Sequence, residues 1–197
     1  MKLLGYIGGM KTFLFGFCLC LSLPVAAQTP APLPVDSLTH KITYTGVVLV
    51  AGASKAELYS RAREWFAATF GSSKAVLEMD DREAGKLIGK AYAQFDFSGV
   101  FGQSLPWAMW RVIKVEVKDG RYRYTLDGFG LGGSIEHPGE SKPLEPWLAG
   151  AARPAGKMVS KMTAKMVLSI TTGVQETASA EVASLQKAMA PKAGSDF

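Results

Sequence analysis

The sequence predicts an α+β domain, an antiparallel sheet with its helices on one face, in the order β-α-β-β-β-β-α. Three observations lead there. An amphipathic segment opened by Ser54-Lys55-Ala56-Glu57 reads as one helix set among strands. The runs that follow it alternate apolar and polar residues and are joined by short turns. Helical spacing returns only near the C-terminus, from about Gly156. Strands joined by short turns pair antiparallel, and a sheet with one apolar face is covered on that face by the helices.

Before the domain comes an address. Met10-Lys11, the apolar run Phe13–Leu23 and the small-residue exit Val25-Ala26-Ala27 make residues 1–27 a secretory signal peptide, with Met10 the candidate true start and Gln28 the first mature residue. The run of about 11 residues is short of the ~20 that span a bilayer as a helix. The expected location is therefore the periplasm or the extracellular space. Cys18 and Cys20 both lie inside the signal, preceded by Phe17 and Leu19 rather than by the small residue that lipid attachment uses. The mature chain then has no disulfide to form in an oxidising compartment, and packing alone holds it together. Processing removes Lys2 and Lys11, so 22 basic residues fall to 20 against 17 acidic ones and the net charge to about +3. The remaining 170 residues suit one domain. Residues 28–41 carry three prolines without periodicity and read as an extended tether.

The single domain is expected over 42–190. Ile42–Val50 is the first strand, rich in β-branched residues. In the helix after it, the Ser54 hydroxyl takes the Glu57 N–H and the Glu57 carboxylate returns to the cap. Leu58, Ala62, Trp65, Phe66 and Thr69 share the core-facing stripe, while Arg61, Glu64 and Ala68 face water. Strand two is Lys74–Met79, and Asp80–Gly85 is a turn. Strand three is Lys86–Phe97, Ser98–Pro106 is a loop, and strand four is Trp107–Lys118.

Asp119-Gly120 is the clearest local signal, a two-residue turn of type I′ between alternating runs. It sets the register. Val117 faces Tyr122, Val115 faces Tyr124 and Ile113 faces Leu126 on an apolar side. Lys118 faces Arg121, Glu116 faces Arg123 and Lys114 faces Thr125 on a polar side. A one-residue slip would bury charge. The glycine- and proline-rich stretch 130–155 is expected as a loop, and 156–190 as two helices separated by a break near Thr171-Thr172-Gly173. Met158, Met162 and Met166 form one row of the first of these, with Lys157, Lys161 and Lys165 beside it.

The segments Gly46–Val50, Ser54–Phe66, Met79–Lys90 and Ile113–Tyr124 closely resemble a family of exported bacterial proteins, a domain of unknown function assigned a fold like the TATA-box-binding protein. The resemblance covers a core of about 42–129 and, more weakly, Ala178–Met189. It implies a TBP-like antiparallel sheet and an export habit. It implies no catalytic or binding residue.

Chemistry-bearing constellations are sparse. His40 and His137 stand apart from any grouping with zinc spacing. Asp80, Asp81 and Glu83 are dense enough to raise weak calcium binding, but they lack an EF-hand arrangement, and aspartate in a turn has its own backbone work. Gly128–Gly133 has no helix start after it, as a phosphate loop would need. No serine sits in a Gly-x-Ser-x-Gly elbow. No cofactor, metal or catalytic residue is expected, and export together with mild charge argues against a nucleic-acid partner.

What remains is an exported, non-catalytic binding domain whose partner is an envelope protein or ligand. The candidate surface is the helix-free sheet face with Lys114, Arg121 and Arg123, joined by Trp107 and Trp110 as aromatic anchors in or beside loops. Lys86, Lys90 and Lys118 belong to the same face. Two alternatives stand beside this reading: peripheral membrane contact through the basic Met/Lys helix 157–170, and an envelope hydrolase.

Overall fold

The computed structural model describes residues 32–70, 76–98, 104–132, 140–151 and 157–191. The elements are β1 (Tyr44–Leu49), α1 (Lys55–Phe70), β2 (Leu77–Asp81), β3 (Lys86–Ser98), β4 (Ser104–Lys118), β5 (Arg121–Leu131), β6 (Lys142–Pro143), α2 (Leu144–Ala151) and α3 (Lys157–Met189). Among these residues the sheet has six strands, antiparallel at every pairing, in the order β1-β5-β4-β3-β2, with β6 on β5 beyond β1. The expected signal peptide, residues 1–27, lies outside the described residues.

The β4–β5 hairpin has the register the sequence expects, from Lys118–Arg121 to Ile113–Leu126. Ile113, Val115, Val117, Tyr122 and Leu126 are buried, so the alternating stripe is the floor of the core. The turn itself differs. Gly120 alone has a positive φ, 72°, whereas type I′ needs one at Asp119 too. The reason is tertiary. The Lys55 N–H donates to Asp119 Oδ1 at 2.6 Å, the Gly120 N–H donates to Ala53 O, and the Val50 N–H donates to Gly120 O, both at 2.8 Å. The turn is docked on the start of α1, and Asp119 serves as a second cap for that helix.

Ser54 caps α1 as expected, accepting the Glu57 N–H at 3.2 Å. Glu57 does not return to the cap. It accepts from Arg61 Nη2 at 2.5 Å instead. Arg61, expected in water, is buried, and its Nη1 donates to Met189 O at 3.0 Å, satisfying a carbonyl at the C-terminal end of α3. Thr69, expected in the core, is exposed, while Tyr59 is buried. Leu58, Ala62, Trp65 and Phe66 face the core, and the Trp65 indole N–H donates to Ser184 Oγ at 3.0 Å on α3.

The C-terminal region departs most from expectation. α3 runs unbroken through Thr171-Thr172-Gly173. The Thr171 hydroxyl is absorbed by the carbonyls of Val167 and Leu168, at 2.9 and 3.0 Å. Burial of Ile170, Val174, Ala178, Leu185 and Met189 along one stripe outweighs the roughly 1 kcal/mol that an interior glycine costs. Within the expected loop 130–155, β5 continues to Leu131, β6 pairs with it, and α2 buries Leu144. The expected loop 98–106 is shorter, because β4 already starts at Ser104. In the expected tether, Asp36 Oδ1 accepts from the N–H groups of Leu38 and Thr39, at 3.1 and 2.7 Å, and Val35 bridges Ile42. The part of it that is described is therefore a closed turn.

Candidate binding surface

From Met109 to Lys118, odd-numbered residues of β4 point into the core and even-numbered ones away from it. The even set faces the side without helices, together with Lys86, Lys90 and Tyr92 of β3, Arg121, Arg123 and Asp127 of β5, and Val47 and Leu49 of β1. A bulge at Gly128, φ 63°, keeps this sorting: it lets Phe129 and Leu131 return to the core after Leu126. On the core side, the buried Arg111 of β4 meets Glu181 of α3 through two guanidinium bonds, with Nε at 2.7 Å from Oε2. This ion pair fastens α3 to the sheet and leaves the opposite face free.

The five sequence-predicted surface residues have different fates. Arg121 is exposed and makes no ion pair with a described residue. Arg123 is exposed and donates from Nε to Glu116 Oε2 at 2.7 Å. Lys114 is half-buried, with Nζ 2.6 Å from Asp127 Oδ2. Trp110 is not an exposed loop anchor. It lies in mid-strand opposite Tyr92 and Gly130, only 5% exposed. Its indole N–H donates to Gly132 O at 2.9 Å, Tyr92 lies 5.3 Å from it ring to ring, and Lys90 Nζ sits 5.4 Å from its ring centre. Trp110 belongs to the expected strand four as well; what buries it is the cover that Tyr92, Lys90 and the Gly132 carbonyl provide. Trp107 pairs with Phe95 through the backbone, and its side chain lies outside the described residues.

The charged end of this face is a groove of about 480 Å³ lined by Lys86, Lys118, Arg121 and Arg123 around one carboxylate, Glu116, with Val47 at its side. Lys86 Nζ is 3.7 Å from Glu116. The Arg123 hydrogen bond holds the Glu116 carboxyl below its ordinary range, so it is ionised at neutral pH. Lys118 is exposed and, like Arg121, has no acidic partner among the described residues. Sequence reasoning missed the apolar rim. Val47 is 62% and Leu49 78% exposed. The alternation of β1 was visible; that its outward side would lack cover was not.

Two other sequence candidates have structural roles. Asp80 accepts from the Tyr59 hydroxyl and from Arg63 Nε, the latter at 2.9 Å, which lowers its pKa. Asp81 Oδ1 closes the β2–β3 turn by accepting the Ala84 N–H at 2.8 Å. Among the described residues no three His, Cys, Asp or Glu side chains gather as a metal site would need, and no helix is long and apolar enough to cross a membrane.

Residues 44–131, from the first residue of β1 to the last of β5, match the family model described as a domain of unknown function (DUF4468) with TBP-like fold. By this match the stretch is similar to DUF4468 domains. The chain is similar to a DUF4468 family protein from Bacteroides ovatus, at 16% identity and TM-score 0.56, covering 80% of this chain and 91% of that one. It is also similar to a TBP-like protein from Parabacteroides distasonis, at 12% identity and TM-score 0.53, covering 78% and 97%. At these identities the likeness shows the fold. Its extent takes in more of the chain than the DUF4468 match. A search of curated proteins finds no match.

Proposed function

We propose that this domain is an exported, non-catalytic binding module that takes a negatively charged partner group on the helix-free face of its sheet. The observation that carries this reading is the groove in which four cations surround one carboxylate and two of them, Lys118 and Arg121, have no described acidic partner. The cations stand on paired strands, so their positions are held by the ladder rather than by a loop, and little ordering is required on binding. Val47 and Leu49 beside them offer apolar contact at the rim. Glu116 is kept ionised by Arg123 and so is poorly placed to serve as a general acid. The export part of the reading rests on the leader 1–27 and on the cysteine-free remainder.

Inorganic sulfate, followed by two-dimensional NMR at low salt, tests the groove. Saturable shifts centred on Lys86, Lys118, Arg121 and Arg123, lost in Lys118→Glu/Arg121→Glu, are expected. Shifts spread evenly over all surface lysines would sink the reading. Fractionation of the source cell with N-terminal sequencing tests export: the expected chain begins at Gln28 outside the cytoplasm, and an unprocessed cytosolic chain overturns that part. A second reading, peripheral contact with an anionic membrane through 157–170, has one observation in its favour, the exposed Leu168 beside exposed Lys165 on α3. Flotation on anionic liposomes, abolished by Lys157→Glu/Lys161→Glu/Lys165→Glu, is its test; no flotation at low salt rejects it.

A further inference from the structure

We infer that the outer edge of β1 is a strand-docking site that takes a short extended peptide of a partner protein, antiparallel to β1 and acidic at its N-terminal end. The inference rests on backbone geometry, and only the acidic end of the peptide draws on the groove, through Arg121 and Lys118. β1 ends the strand order. The Val50 N–H donates inward to Gly120 O at 2.8 Å, and Thr43 donates in the opposite direction, to Pro34 O at 2.9 Å. In an antiparallel ladder this direction alternates from residue to residue. Even-numbered residues of β1 therefore bond to β5, and the N–H and C=O groups of Thr45, Val47 and Leu49 point away from the sheet. Among the described residues nothing bonds to those groups.

The two edges of the sheet are built differently. β2 is short, shifts register between Leu77 and Met79, and carries Glu78, Asp80 and Asp81. Charge and a bulge are the usual guards of an edge. β1 (Tyr-Thr-Gly-Val-Val-Leu) has no charge, no proline and no register shift, and it exposes Val47 and Leu49. An edge left open on one side only is an acceptor for a strand.

Three features define the occupant. Arg121 is the cross-strand neighbour of Leu49, and Lys118 is the neighbour of Arg121. A docked strand lies about 10 Å from β5, two strand spacings, within the joint reach of an arginine and a glutamate. Its acidic residue thus belongs opposite Leu49, at the N-terminal end of an antiparallel peptide. On the helix side, a recess of about 410 Å³ between Tyr44, Thr45 and Tyr124 of the sheet and Val182 and Ala183 of α3 opens beside the edge, with room for an inward apolar side chain. Length follows from the Val35–Ile42 bridge, whose register sets Leu33 beside Tyr44. A second copy of β1 centred on Val47 would need its Val50 in that place. The same register carries Pro32 to Thr45, so the open edge is 46–49; a four-residue peptide facing it stops short of that segment, which favours a peptide over self-pairing.

The probe is acetyl-Glu-Val-Val-Leu-amide, and the readout is amide hydrogen exchange of the full chain. At saturating peptide the amides of Val47 and Leu49 are expected to slow at least about tenfold, while those of Gly46 and Val48 keep their rates. Val47→Pro removes one outward donor and spares the β5 bonds; it should weaken binding about tenfold. Val47→Lys, which charges the edge, is the second variant and should do the same if the proline chain fails to fold. A probe with lysine in place of glutamate should bind more weakly. Unchanged exchange at millimolar peptide overturns the inference, as does equal slowing of odd and even amides. Slowing of the odd amides with protein concentration alone also overturns it, because it assigns the edge to a second copy. Sulfate shifts the groove without slowing these amides, so the two proposals fail separately.

Discussion

Glu181→Leu should cost this fold more than any surface change. Arg111 is 3% exposed, and its described partner is Glu181, through Nε and Nη2. Its Nη1 already lacks an acceptor among the described residues. Removing the carboxylate leaves a buried guanidinium with neither counter-charge nor acceptors, a loss of about 3–5 kcal/mol. At roughly 2–4 °C per kcal/mol for a chain of this size, that lowers the melting temperature by about 6–20 °C. The pair itself is worth much less than its breakage, because both ions were desolvated to form it. Arg111→Met combined with Glu181→Leu should therefore recover most of the loss and come within about 1 kcal/mol of the parent. Urea unfolding followed by circular dichroism, with calorimetry alongside, measures both. A single-variant loss under 1 kcal/mol would refute the reasoning, and so would a double variant as unstable as the single.

Three further outcomes are expected. Gly120→Val places a β-branched residue at φ 72° in open space, so backbone strain alone should cost about 1–2 kcal/mol by urea unfolding. Asp119→Ala removes the acceptor for the Lys55 N–H and should cost about 1 kcal/mol with the hairpin register unchanged by NMR. Burial pushes the Tyr59 and Tyr122 hydroxyls up to about 12, above the ordinary 10 they regain on unfolding. The unfolded chain then loses these protons first, so stability present below pH 10 drains away as pH rises to about 12, by roughly 2–3 kcal/mol for each. Tyr122→Phe should remove one share of that decline at little cost at pH 7, because the Tyr122 hydroxyl has no hydrogen-bond partner among the described residues.

What could be read from the sequence follows the range of the interactions involved. The β4–β5 register was legible because alternation and a tight turn are local, and every residue from Ile113 to Leu126 votes for the same pairing. The cap of α1 at Ser54 was legible for the same reason. Asp119 as a second cap was not, since 64 positions separate it from Lys55 in the chain. Arg61 shows the limit of periodicity. Its place on the helix wheel is polar, yet α3 closes over it and offers the Met189 carbonyl, so burial comes with a partner. Gly173 and its threonine neighbours read as a break because propensity was weighed without the 33-residue stripe that packs across it. At the candidate surface the basic residues were placed correctly by parity. The burial of Trp110 was not legible, because it depends on Tyr92 across the strand pair and on the Gly132 carbonyl 22 positions away, while the Trp107 side chain lies outside the described residues.

Parity also brings Glu116 among the groove's cations, and this gives the anion-binding proposal its sharpest consequence. In Glu116→Gln the groove gains one net positive charge, and Lys86 and Arg123 lose their common partner. Two charges several ångströms apart at a protein surface interact by about 1 kcal/mol, so sulfate should bind roughly fivefold more tightly at low salt. The exposed ion pairs lost with the carboxylate are worth little, and stability should change by under about 1 kcal/mol. Acid should produce the same effect in the parent chain. Sulfate does not titrate in this range, whereas Glu116 takes up a proton only below the ordinary carboxylate range, because Arg123 holds it ionised. Parent affinity should therefore rise as pH falls through that depressed value, and the Glu116→Gln profile should lack that rise. If the variant binds sulfate no better than the parent, or if both chains share one pH profile, then the cations around Glu116 are a solvated surface and the binding site lies elsewhere on the sheet.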